Sequence, residues 1–121
     1  MNVFDDVDSL RPQRIWEGIT GRTVHGERVT LSVLDLEAGA VVPDHAHENE
    51  QVGVLLDGSV TFTIGGETRE LRRGATWCIR AHVPHSVVVG SDGALIVEVF
   101  SPAREDWRAL EAEEPQPARW P

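Results

Sequence analysis

Lysine and tyrosine are both absent from this chain of 121 residues. Without lysine there is no Schiff-base amine and no phosphate-loop lysine. Without tyrosine there is no phenol for acid–base work. Cysteine occurs once, as Cys78, so no internal disulfide forms and nothing in the thiol count calls for an oxidising compartment. Its setting, Trp77-Cys78-Ile79, predicts a small buried hydrophobe. The first residues, Met1-Asn2-Val3-Phe4-Asp5-Asp6, carry neither a basic nor an apolar leader region, and the expectation is a chain without a signal peptide. No run nears the ~18 apolar residues of a membrane span, so the expected location is the cytoplasm. Positive charge is scarce: 11 basic residues, every one an arginine, stand against 20 acidic ones, for a net charge of -9. Such a surface repels phosphate backbones and anionic lipid. It predicts no nucleic-acid partner and no membrane partner.

What is present is a globular composition, 40% hydrophobic and 26% charged, at a length that suits one domain. Apolar residues recur mostly with period two, the strand signal. Val29, Leu31 and Val33 alternate with Arg28, Thr30 and Ser32; Val60, Phe62 and Ile64 alternate with Ser59, Thr61 and Thr63. Residues 52–56, 77–79, 87–89 and 94–100 complete the predicted strands. Asp57-Gly58, Gly65-Gly66 and Ser91-Asp92-Gly93 read as turns between them. Many short strands with close-set turns predict an all-β sandwich or barrel. One helix is predicted near the C-terminus, with Ser101 as N-cap, Pro102 at its first position, and Trp107 and Leu110 on its apolar face. Residues 111–121 read as a solvated tail.

Five histidines lie at 25, 45, 47, 82 and 85. In a strand, His45 and His47 point to one face, so both imidazoles can converge on one point. Gln51 follows four residues on, and His85 opens a later predicted strand. Three imidazoles with one oxygen donor suit a divalent metal ion, whether Zn, Ni, Mn, Fe or Cu, with positions left open.

The spacing Gly39-x5-His45-x-His47-x3-Gln51-x6-Gly58 resembles the first cupin motif, and Gly74-x5-Arg80-x-His82-x2-His85 resembles the second. Arg80 stands where that family usually has Pro, and His82 where it often has Gly or Asn. The resemblance implies a double-sheet jelly-roll barrel with a short C-terminal helix. It forms one domain over residues 1–110, with motifs at 39–58 and 74–89, and has a metal site inside. His45, His47 and His85 are then the imidazole ligands, and the fourth ligand slot, usually Glu, holds Gln51. Glu50, one position short of that slot, is the competing donor. A neutral Gln leaves the metal its full charge, which favours a Lewis-acid role over stabilising higher oxidation states. Homodimerisation is common for such barrels, with Val3–Leu10 as the segment available to extend an edge.

A narrower resemblance runs through Glu98-Val99-Phe100-Ser101-Pro102-Ala103-Arg104-Glu105-Asp106-Trp107 and Val83-Pro84-His85-Ser86-Val87. These look like the KdgF-type cupins of pectin and alginate degradation, which convert 4,5-unsaturated uronate monomers to linear keto forms. The functional residues of that group map onto Glu98 (typically Asp there), Phe100 and Arg104. On this resemblance Glu98 moves a proton, Arg104 binds the uronate carboxylate, Phe100 forms an apolar wall, and His82 lines the pocket mouth. The expected substrate is thus a small, anionic sugar. Two other classes stay open: a metal-dependent dioxygenase or other cupin oxidoreductase, and a non-catalytic metal- or ligand-binding cupin. A redox-silent metal argues against the first, and turnover of any substrate argues against the second.

Overall fold

The computed structural model describes residues 2–121. Met1, where the expected leaderless start begins, lies outside them. Eight antiparallel strands follow a single 3-10 turn: β1 (Gln13–Trp16), β2 (Ile19–His25), β3 (Thr30–Leu36), β4 (Val41–His45), β5 (Glu50–Ile64), β6 (Glu67–Arg72), β7 (Thr76–Ile79) and β8 (His85–Ser101). A four-residue helix, α1 (Glu105–Arg108), closes the ordered elements. Among the described residues no helix is long and apolar enough to cross a membrane.

Two long strands organise the barrel. The C-terminal half of β8 lies between β3 and the start of β5, while its N-terminal half lies between β4 and the end of β5. One layer therefore runs β1-β2-β3-β8-β5-β7 and the other β4-β8-β5-β6. At Asp57-Gly58 and Ser91-Asp92-Gly93 the chain does not turn back, contrary to the sequence reading. β5 and β8 continue through these points, and the register slips around Leu55/Asp57 and Gly58/Val60 where the strands cross between layers. Bulges of this kind bend a strand without ending it. The glycines are still required: Gly58 has φ +81°, and a Cβ there would sit 2.0 Å from the Gly93 carbonyl oxygen. Gly65-Gly66 does form the expected hairpin turn, between β5 and β6.

The inner wall grades from apolar to polar along the strands. Leu34 and Leu36 on β3, Leu55 on β5, and Ala94 and Ile96 on β8 close one end of the barrel with Val60, Phe62 and Val87. Further along, the inward positions become Thr30, Ser32, Gln51, Glu98 and Phe100, all buried. The period-two pattern on β3 identified a strand but not its inner face. Thr30 and Ser32 have no exposed surface, while Val29 and Leu31 are 45% and 37% exposed. Cys78 is likewise exposed, against expectation. On β7 the inward positions are Trp77 and Ile79, so the residue between them must face out, opposite Val52.

The C-terminal helix is present, but its start is not the predicted one. Ser101 is still in β8, and its hydroxyl donates to the Arg28 carbonyl instead of capping a helix. The N-cap position falls to Arg104, which makes no side-chain cap. Trp107 is buried as expected, while Leu110 lies beyond the helix and is 38% exposed. Residues 111–121 have no regular structure and are largely exposed, yet they are tied to the barrel. Arg11 donates to the Ala112 and Glu113 carbonyls, Arg22 to the Gln116 carbonyl, and Arg119 pairs with Asp35 and Asp57. Val3–Leu10 holds the 3-10 turn Val7–Ser9 and no strand, with Val3 and Phe4 about nine-tenths exposed.

Candidate metal centre and active-site cavity

His45 ends β4, His47 follows in the connecting loop, and His85 opens β8, paired directly with His45 across the ladder. Ring nitrogens of the three lie within 4.8 Å of one another. A shared geometric device sets each ring. The Nδ1 of His45 bonds the Pro43 carbonyl, that of His47 the Asn49 carbonyl, and that of His85 the Val83 carbonyl, at 2.8, 2.9 and 2.8 Å. A carbonyl only accepts, so each Nδ1 carries the proton and each Nε2 presents a lone pair. Such second contacts orient metal-binding imidazoles. The Nε2 of His85 is buried with no hydrogen-bond partner. Burial, then the neighbouring His45 and His47, push its pKa down to about 4. His47 is also held low, by burial and then by Arg104. Both are therefore neutral near pH 7, the form that ligates.

Of the two candidate oxygen donors, Gln51 is the one that faces the imidazoles. Its side chain faces inward and is buried, whereas Glu50 on the same strand is exposed. The Gln51 amide nitrogen donates to the Glu98 carboxylate Oε2, which leaves Gln51 Oε1 as the atom 3.0 Å from His47 Nε2. Both facing atoms are acceptors, and two lone pairs at that distance repel unless a cation lies between them. Adjacent donors of one metal at about 2.1 Å are separated by about 3.0–3.4 Å, so the residues present fit a divalent ion. The group would be held by His45, His47, His85 and Gln51.

The cluster opens into a cavity of about 270 Å³, whose lining includes Trp16, Glu98, Phe100, Arg104 and Asp106. Glu98 and Phe100 share the inner face of β8, as their spacing predicts, and are 6% and 1% exposed. Burial pushes the Glu98 carboxyl above the ordinary carboxylate value, against the opposing effects of hydrogen bonds from Gln51 and Trp77 and the charge of Arg104. Arg104 is buried to 8% exposure, with its guanidinium 4.9 Å from the Phe100 ring centre and 4.1 Å from that of Trp107. Its Nε and Nη2 form a fork with Asp106 at 3.0 and 2.9 Å. That pairing, ahead of the opposing effect of burial, lowers the Asp106 pKa. His82 is exposed in the β7–β8 turn and does not line the cavity; its backbone N–H donates to the His47 carbonyl.

Sequence reasoning missed several residues of this site. Trp16, from β1, a strand too short to read, packs tilted against His45 with ring centres 5.4 Å apart. Trp77 donates to Glu98 Oε2 at 2.8 Å. His25 joins a chain of polar contacts behind Arg104. Gln13 donates to the Trp107 and Leu110 carbonyls, so its oxygen accepts from Thr23. Thr23 meets His25 Nε2, and His25 Nδ1 meets Thr30, whose oxygen accepts the Arg104 backbone N–H. No motif announces that chain; only the polar residues at alternate positions of β2 and β3 hint at it.

Comparison with known proteins places these features in a lineage. The family model described as a cupin domain matches residues 32–102. The pectin degradation protein KdgF of Dickeya dadantii (strain 3937) is 31% identical over 70 residues, which span 57% of this chain and 64% of that protein, under two thirds of its length. The structure of KdgF from Halomonas sp. superposes with a TM-score of 0.80 at 26% identity, covering 88% of this chain and 98% of that one. An RmlC-like cupin from Shewanella frigidimarina gives a TM-score of 0.82 at 24% identity, covering 88% and 96%.

Proposed function

We propose, from the premise that this chain belongs to the cupin domain family, that it is a metal-dependent enzyme opening the ring of a 4,5-unsaturated uronate to its linear keto form. The observation that carries the reading is the shared cavity: the three imidazoles, Gln51, Glu98 and Arg104 all line it. A divalent ion held there would supply Lewis acidity toward a sugar oxygen.

The isomerisation conserves every atom. The ring carbon–oxygen bond at the hemiacetal breaks as the anomeric hydroxyl gives up a proton, and the enolate so formed gains that proton at carbon to become the ketone. Glu98, with its raised pKa, suits both the acceptance and the return of that proton. Arg104 presents a cation to the uronate carboxylate in a low-dielectric wall. Asp106 occupies one side of the Arg104 fork and so sets which N–H groups remain for substrate. Phe100 gives the apolar wall.

The reading is tested with metal-loaded protein and 4,5-unsaturated galacturonate, following loss of the double bond's ultraviolet absorbance. Turnover that disappears in Glu98→Gln supports it; a loaded protein inert toward every unsaturated uronate rejects the substrate. The proposed assembly is a homodimer acting in the cytoplasm. Support for the dimer is the exposed apolar row Val24, Leu31 and Val52 on one sheet face and the bare Val3 and Phe4. Sedimentation velocity at micromolar protein decides between dimer and monomer.

A further inference from the structure

Trp77, Gly53 and Glu98 occupy one line across three strands. Gly53 pairs with Trp77 on β7 and with Glu98 on β8. The Trp77 indole is laid over the glycine: a Cβ at position 53 would stand 2.6 Å from its Cε2 and 2.7 Å from its Nε1. Because that space is left empty, the indole N–H reaches Glu98 Oε2 at 2.8 Å. The Gln51 amide donates to the same oxygen. Among the described residues no hydrogen bond reaches Oε1, although the carboxylate lines the cavity.

We propose that Trp77 is a positioning residue: seated on Gly53, its indole N–H pins one oxygen of Glu98 and turns the other toward the substrate. Two N–H donors on one oxygen remove the rotation a long Glu side chain otherwise keeps. The longer acid therefore acts from a fixed point, where a misplacement of about 1 Å costs about a hundredfold in rate. Gly53 serves the same end by being nothing more than backbone. This rests on the proposed role of Glu98, so the test carries one arm that needs no turnover.

Trp77→Phe keeps an aromatic ring against Phe62 and removes the donor together with part of the indole. Gly53→Ala keeps the donor and displaces it. Each is expected to lower kcat on 4,5-unsaturated galacturonate by about 10–100-fold, with KM within about twofold and metal content unchanged. The double variant should lose little more than either single one, because both remove the same contact. A packing role alone predicts a lower unfolding temperature with kcat unmoved, and that result overturns the proposal. The independent arm is the Trp77 indole proton in ¹H–¹⁵N spectra, assigned among four tryptophans by its loss in Trp77→Phe. It should be downfield, slow to exchange, and shifted by Glu98→Gln. An indole proton at the free position and exchanging with solvent overturns the proposal even if no uronate is turned over.

Discussion

Gln51 turns its two amide ends to two different neighbours, and this explains why the position is not Glu. Its oxygen faces the imidazole cluster and its nitrogen faces the Glu98 carboxylate. A carboxylate in its place would confront a second buried carboxylate, and the pair would have to share a proton. Gln51→Glu is therefore expected to retain one metal per chain by elemental analysis while kcat falls about 10–100-fold; undiminished turnover at equal metal content contradicts the role. Arg104→Ala should act differently, raising KM about tenfold or more with a smaller change in kcat, as steady-state kinetics will read. His25 supplies the pH prediction. Burial and then Arg108 hold its folded pKa below the ordinary value of 6.5, against Glu105 and Asp106. Below pH 6.5 the unfolded chain thus takes the extra proton first, so the His25 contribution to stability is full above that pH and is lost as pH falls through it. Urea midpoints at pH 7.5 and 5.5 should fall more for the wild type than for His25→Gln. The clustering of His45, His47 and His85 was legible at this scale because imidazole spacing is a chemical constraint. The polar contacts through His25 and the Trp77 contact were not, because their partners come from distant strands.

Strands β5 and β8 carry most of the site, and their continuity depends on where they bend. Gly58 and Gly66 both have positive φ, +81° and +84°, but only Gly58 is crowded, by the Gly93 carbonyl. Gly66→Ala should cost about 1–2 kcal/mol, the price of a left-handed alanine. Gly58→Ala should cost clearly more, with collapse of folding as the extreme, because a backbone carbonyl must also move. Urea denaturation of the two variants side by side measures the difference. Leu55→Ala, at a fully buried position that seals the apolar end, is expected to lose about 2–5 kcal/mol in the same assay. The sequence pattern located most strands yet misread these bends as turns, since Asp-Gly and Ser-Asp-Gly serve hairpins and bulges alike. It also misjudged the faces of β3: Thr30 and Ser32 are inward for the hydrogen bonds they make, a tertiary demand that overrides hydrophobic alternation.

At the scale of the whole molecule, a net charge of -9 opposes an anionic substrate. The proposed uronate would be repelled by the long-range field and attracted by Arg104 only at contact. Screening should then help: kcat/KM is expected to rise about two- to fivefold between roughly 10 and 150 mM salt, the reverse of a steered encounter. A fall over that range would mean that attraction dominates the approach. The barrel itself was legible from motif spacing, because two glycine-bounded histidine motifs constrain both strands and site. The tail along the barrel was not, since its bonds join tail carbonyls and the Arg119 side chain to groups far away in sequence. The central claim is that the imidazole–Gln51 centre and Glu98 together open an unsaturated uronate. It is tested most directly by following 4,5-unsaturated galacturonate by NMR with protein of graded metal occupancy. The account predicts conversion of ring signals to those of the linear keto form at a rate proportional to occupied sites. Full occupancy with the ring signals unchanged would contradict it.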